Sequence, residues 1–400
     1  MVGNACDCKR ERERESYNLT KGHNANKIIG TVNNKNTNRN TSIELLRIIA
    51  MLMVISLHAI NNALLFKEAN LSMYNTALLR FIDTISQVAN GTFLIISGYY
   101  MIEKKTNIKK IFCLWGKVLF YSILMYVVCK FIFGMRTFAY ESFLPILTGQ
   151  YWFISAYIAL YLISPILNIL ANKLTQKQYK YLIVIMVVLL GVVNVIFNKA
   201  GILSGAMLQV MMLYFIGGYI KKFIQPKKKQ FYFVKYILLA VIFTLIFMTL
   251  SVLANIIPAL YTSIIYFLSA FREFSCIIIV AMTIFIFLKF LTIKINSKTL
   301  NKIITLVSPS VFPIYIIHIN IHIRDYIWVA LGARDHLNTW YFVPYLLGLI
   351  VLVFLICLAI DLLRRGGYAL LKKVPIINKG ITKLNEKINC LNNKINSIFD

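Results

Sequence analysis

Ten apolar stretches divide most of the chain, at about 43–65, 76–101, 111–134, 151–171, 181–198, 206–223, 231–254, 263–290, 303–328 and 341–363. Each is near or above the ~20 residues a helix needs to cross a bilayer. Such segments can satisfy their backbone polar groups in hydrocarbon only as helices. The residues are 59% hydrophobic and 14% charged, whereas a soluble domain carries about 25% charged residues. Lipid must cover that excess. The expected fold is an all-α polytopic membrane protein of about ten transmembrane helices, multi-pass in the cell membrane. The fifth and sixth stretches are short and Gly-rich (Gly191, Gly201, Gly205, Gly217, Gly218), so the helix count turns on them.

The connections give an orientation. Loops on the side of the N-terminus and every second loop thereafter carry 33 Lys and Arg, against 5 in the intervening ones. Cytoplasmic loops hold the excess of basic residues, so both termini are expected in the cytoplasm. The net charge of +28 is confined mostly to these short loops, which argues against a nucleic-acid partner. Seven cysteines show no metal spacing and imply no disulfide framework.

Residues 1–41 are polar and Asn-rich, with Glu-Arg-Glu-Arg-Glu at 11–15 and no apolar signal core; they are expected to form a disordered cytosolic tail. Residues 42–365 form the membrane domain. Residues 366–400 are expected to be a cytosolic amphipathic helix, because Ile377, Ile381, Leu384, Ile388, Leu391, Ile395 and Ile398 recur at steps of four and three. It suits the anionic inner leaflet. A short coiled coil making a homo-oligomer is the alternative.

The first stretch carries Arg47 near its start and His58 deep inside. Eleven steps of about 100° return them to one helix face, ~16 Å apart along the axis. An ionisable group at that depth marks a functional site by default; an interior histidine bonded to a neighbouring helix is the plain alternative. Glu44 stands three residues before Arg47, at ion-pair spacing. In the second stretch Asp83, Asn90 and Ser97 are seven apart and form one polar stripe. Counting from the outer ends puts Asp83 at the depth of His58, where a carboxylate would orient an imidazole acting as a base; polar inter-helix packing accounts for the stripe equally. Ser97-Gly98 is either a close helix contact or the floor of a ligand site. Tyr151-Trp152 suit an interface anchor or a sugar-binding mouth. Arg272-Glu273 forms a candidate buried pair. Pro309 and Pro313 predict a kink in the ninth stretch, where Tyr315, His318 and His322 share a face. Metal binding by the two histidines lacks an acidic or Cys partner, so no metal is expected. No Walker sequence, nucleophile elbow or dinucleotide fingerprint is present.

These residues resemble the acyltransferase 3 family of integral membrane acyltransferases. The likeness rests on Arg47-x10-His58, Phe93-x-x-x-Ser97-Gly98-Tyr99, Trp152-Phe153 and Ile314-Tyr315-x-x-His318, and covers about residues 42–365. It implies O-acetylation of a cell-surface polysaccharide, such as capsule or exopolysaccharide, or of its lipid-linked precursor, with acetyl-CoA as cytoplasmic donor. His58 takes the place of the essential histidine, as general base or acyl carrier, with Asp83 beside it. Arg47, Ser97, Gly98, Lys109 and Lys110 are expected to bind the donor, and Trp152, Tyr315 and His318 the acceptor. Glu44 stands where Asp is frequent, and no Arg-x-x-Arg pair follows the second stretch; Lys109-Lys110 is placed to serve instead. These departures place the chain nearer the branch without an appended esterase-like domain, and none is expected here. A glycan or solute transporter without acyl chemistry is the alternative function. A module of an amino-acid resistance system is a third, disfavoured by the lack of a soluble catalytic domain.

Overall fold

The computed structural model describes residues 40–399 except 64, 68–70, 106, 133, 135–139, 194–204 and 229; the expected N-terminal tail lies almost wholly outside them. The described residues form helices and turns without strands. Helix α1 (Thr41–Asn62) begins at Asn40, whose side-chain oxygen accepts from the Ser42 amide at 3.2 Å. This satisfies one of the free N–H groups of a helix start. The second stretch is α2 (Met73–Ser86) and α3 (Val88–Met101), separated by Gln87 alone. There follow α4 (Ile108–Ile132), α5 (Trp152–Lys173) and α6 (Gln176–Val187), which runs into a π turn at Val188–Val193. Next come α7 (Ala206–Phe223), α8 (Tyr232–Ile256), α9 (Tyr261–Phe271), α10 (Ile277–Thr292) and α11 (Lys298–Val307). The chain continues with α12 (Val311–His318), the short α13 (Tyr326–Ala330), α14 (Phe342–Leu371) and α15 (Pro375–Phe399).

Among the described residues seven helical segments are long and apolar enough to cross a bilayer: α1, α4, α5, α6 with its π turn, α8, α11 with α12, and α14. The three other expected spans are helical but differ in form. α2–α3 is divided at Gln87, α9–α10 is interrupted at 272–276 around Arg272, and α7 has 18 residues ending in two lysines before Phe223. Exposed apolar side chains cover the outer faces; Leu245 of α8 is 60% exposed and Leu355 of α14 is 52% exposed. Such a surface is stable only against lipid. The expected kink is a 3-10 turn at Ser308–Ser310 containing Pro309, while Pro313 falls in the first turn of α12, where a missing N–H costs little.

α1 is the hub, packed against α2, α3, α10, α11, α12 and α14. Beside it α3 and α7 approach most closely. A Cβ on Gly98 of α3 would strike the Tyr214 carbonyl of α7, and a Cβ on Gly217 of α7 would strike the Ile95 carbonyl of α3. Each glycine admits the other helix's backbone.

The end of the bundle that carries Arg47 is clasped by a carboxylate. Asp361 of α14 is fully buried and accepts from Tyr121 Oη of α4 at 2.6 Å, from Ser310 Oγ, and from Arg364 Nε at 2.9 Å. Removing a buried charge that satisfies several donors strands its partners. Asp361→Ala is expected to cost about 3 kcal/mol, read as a lower unfolding temperature of the purified protein. α15 packs on α4, where Asn392 Oδ1 accepts from the Ile108 amide at 2.9 Å. One face of the heptad-spaced helix thus caps the start of α4.

Candidate functional site

His58 lies on the fifth turn of α1, facing the end of α12. Its Nδ1 is 2.9 Å from Nε2 of His318, and Nδ1 of His318 is 2.6 Å from the Ile314 carbonyl oxygen. These contacts fix the protons. The Ile314 carbonyl can only accept, so His318 carries its proton on Nδ1 and presents the lone pair of Nε2. His58 must then donate from Nδ1, which leaves its own Nε2 unprotonated and free to accept a proton. His318 is fully buried, whereas His58 is half-buried. The buried ring therefore holds the accessible one in a single tautomer.

Asp83 does not take that orienting role. Its Oδ1 accepts from Arg272 Nη2 at 2.9 Å and from Gln87 Nε2 at 3.2 Å. The carboxylate pairs with Arg272 because the interruption between α9 and α10 brings a guanidinium to α2. The expected Arg272-Glu273 pair is likewise absent among the described residues: Arg272 turns to Asp83 and Asn61, and Glu273 is exposed. His322 turns away from the dyad to Ser142, 2.9 Å from its Oγ. No group of three His, Cys, Asp or Glu that could hold a metal occurs among the described residues.

A cavity of about 260 Å³ runs along α1 from Arg47 to Val54, with neither histidine in its lining. Arg47, Met51 and Val54 of α1 line it, at spacings that keep one helix face. His58 follows on the same face, one turn beyond Val54. Opposite stand Ser97, Phe93 and Asn90 of α3, with Lys117 of α4. Ser308 precedes α12, and Tyr315 lies one turn before His318 with its ring 6.0 Å from the imidazole. The hydroxyls of Ser308 and Tyr315 are buried without a hydrogen-bond partner among the described residues. Arg47 holds Glu44 at 3.2 Å, as its spacing predicts, and its side chain remains 34% exposed. The cavity is thus cationic at one end, apolar along its length and bounded by unpaired hydroxyls.

The expected site residues divide. Arg47, Ser97 and Tyr315 line the cavity, whereas His58 and His318 meet each other outside its lining. Gly98 does not reach it, because its open face is filled by the α7 backbone. Lys109 and Lys110 stand at the start of α4 outside the lining, with Lys110 within electrostatic range of Arg47 and Lys104. Trp152 is also outside, half-exposed and stacked on Phe274 with ring centroids 6.0 Å apart. Lys117 is the charged lining residue the sequence pattern had not singled out. It lies two turns beyond Lys110 on the same face of α4, and a cation that far inside an apolar stretch was the available signal.

A family model described as an acyltransferase domain, the acyltransferase 3 model, matches residues 40–362. No curated protein and no solved structure matches the chain.

Proposed function

The chain belongs to the acyltransferase 3 family, and from that premise we propose that it transfers an acetyl group from cytoplasmic acetyl-CoA to a hydroxyl of a cell-surface polysaccharide or its lipid-linked precursor. It is a multi-pass membrane acyltransferase. The observation that carries the finer reading is the His58–His318 contact, one helical turn beyond Val54 and Tyr315 of the cationic cavity's lining. In this account the Arg47 end faces the cytoplasm of a plasma-membrane protein, which the distribution of Lys and Arg supports.

The donor's phosphates meet Arg47 and Lys117, with Lys110 and Lys104 raising the local positive potential. The pantetheine arm lies along the apolar cavity and brings the thioester toward His58. The acceptor hydroxyl gives its proton to His58 Nε2 as its oxygen attacks the thioester carbonyl. The resulting oxyanion takes a hydrogen bond from the unpartnered Tyr315 hydroxyl. The C–S bond then breaks, and the proton held by His58 passes to the departing thiolate. The products are the acetyl ester and CoA.

Two measurements follow. Membranes containing the protein should move radiolabel from acetyl-CoA into an alkali-labile ester of the glycan. Solute accumulation without label transfer would favour a transporter. Arg47→Gln and Lys117→Gln should each raise the KM for acetyl-CoA about tenfold, with kcat little changed, since each loses a charge-assisted contact made equally in ground and transition states.

A further inference from the structure

A second cavity, of about 390 Å³, lies at the other end of α1. Its wall combines two arginines, Arg80 of α2 and Arg272 before α10, with the apolar side chains of Ile60, Phe66, Phe247 and Leu268. The charges do not cancel. Asp83 is the carboxylate in contact, and its Oδ1 is taken by Arg272 and Gln87. Arg272 also donates to Asn61 at 3.0 Å, while its Nε is buried without an acceptor.

Arg80 is the telling residue. Its guanidinium lies 3.5 Å over the Phe66 ring and 4.4 Å from the centre of the Phe247 ring. Stacking uses its faces and leaves five N–H donors along its edge. No hydrogen bond or ion pair engages them among the described residues. A guanidinium held within an apolar bundle without an acceptor is costly. Among the described residues, two cations and one carboxylate leave one positive charge to be met by a ligand.

We propose that this cavity binds the phosphate of a phosphate-headed lipid. The apolar lining takes the first part of the chain, and the free edge of Arg80 with Nε of Arg272 takes the oxyanion. The position gives the site a use. Asn61, which lines the cavity, is three residues beyond His58 and adjacent to it on α1. An acceptor sugar riding on a lipid phosphate would be anchored one turn from the dyad, a role that rests on the acyl-transfer reading, whereas the lipid site itself does not.

The test measures lipid retention by the purified full-length protein in native mass spectrometry. Polyprenyl phosphate, phosphatidylglycerol and uncharged polyprenol serve as probes. Wild type should retain the phosphate lipids and release polyprenol. Arg80→Gln should lose at least about tenfold in affinity for them; because Arg80 makes no hydrogen bond within the described chain, the variant should fold, with CoA binding equal to wild type as the check. Arg80→Lys, which keeps charge without the planar fork, should recover part of the affinity. Preference for polyprenyl phosphate would mark an acceptor anchor, and equal retention of phosphatidylglycerol a site for membrane lipid; both support the phosphate site. Polyprenol retained as well as its phosphate, or Arg80→Gln binding like wild type, would overturn it. Wild type that binds phosphate lipid but no CoA would count against acyl transfer and leave the lipid site standing.

Discussion

His58→Ala is expected to lower acetyl transfer by about 10²–10⁴-fold at saturating acetyl-CoA, the range that a positioned general base contributes. The protein should still be made and inserted, because the ring is half-buried and its side-chain hydrogen-bond partner among the described residues is His318. Binding of CoA should be nearly unchanged, since Arg47 and Lys117 line the cavity and His58 does not. The two histidines act as one unit: His318 has no route to the acceptor except through the proton it fixes on His58. The double variant with His318→Ala should therefore be little slower than His58→Ala alone, as for other catalytic groups that fail together. Initial rates with radiolabelled acetyl-CoA, normalised to inserted protein, give both comparisons. Two independent losses that multiply would separate the histidines and remove the dyad from the mechanism.

The second large effect falls on folding. Gly98→Ala places a methyl group against the Tyr214 carbonyl, which is backbone and cannot swing aside. α3 and α7 must separate, with a cost of about 3 kcal/mol, the upper part of the usual range for overpacking. Thermal unfolding in detergent should show the loss, while the KM for acetyl-CoA of the surviving folded fraction stays at its wild-type value. Ser97→Ala should behave in the opposite way. It removes a hydroxyl on the cavity wall that donates to the Phe93 carbonyl of its own helix, so stability should be nearly unaffected. The adjacent Ser97 and Gly98 thus separate cavity lining from helix packing. A wild-type unfolding temperature with a raised donor KM in Gly98→Ala would return that glycine to the binding site.

Much of this architecture is legible along the chain because membrane helices declare themselves locally. Length, hydropathy and the Arg47-x10-His58 spacing are properties of single segments, and the Glu44–Arg47 pair follows from helical periodicity alone. The orienting partner of His58 is not such a property. Depth counting pointed to Asp83, while His318 entered the expectations as an acceptor contact and not as the partner of His58. The outcome was decided by Arg272, which the break between α9 and α10 delivers to Asp83. A carboxylate with a guanidinium beside it is no longer free for an imidazole. Gly98 shows the same limit: a glycine fitted to a ligand and one fitted to a helix look alike until the other helix is placed. Lys117, Arg80 and Asp361 carried a signal in plain view, as ionisable residues inside apolar stretches. Their roles became distinct only through the three-dimensional partners: a cavity, two phenylalanine faces, and the donors Tyr121, Ser310 and Arg364.

If this chain esterifies a surface glycan through His58, proton NMR of that glycan reads it directly, the glycan being purified from a deletion strain complemented with wild type or with His58→Ala at matched membrane levels. Wild type should restore the O-acetyl methyl signal, alkali should remove it, and His58→Ala should leave the glycan unacetylated. Full O-acetylation in the His58→Ala strain, or a glycan that never carries an ester with wild type present, would contradict the account.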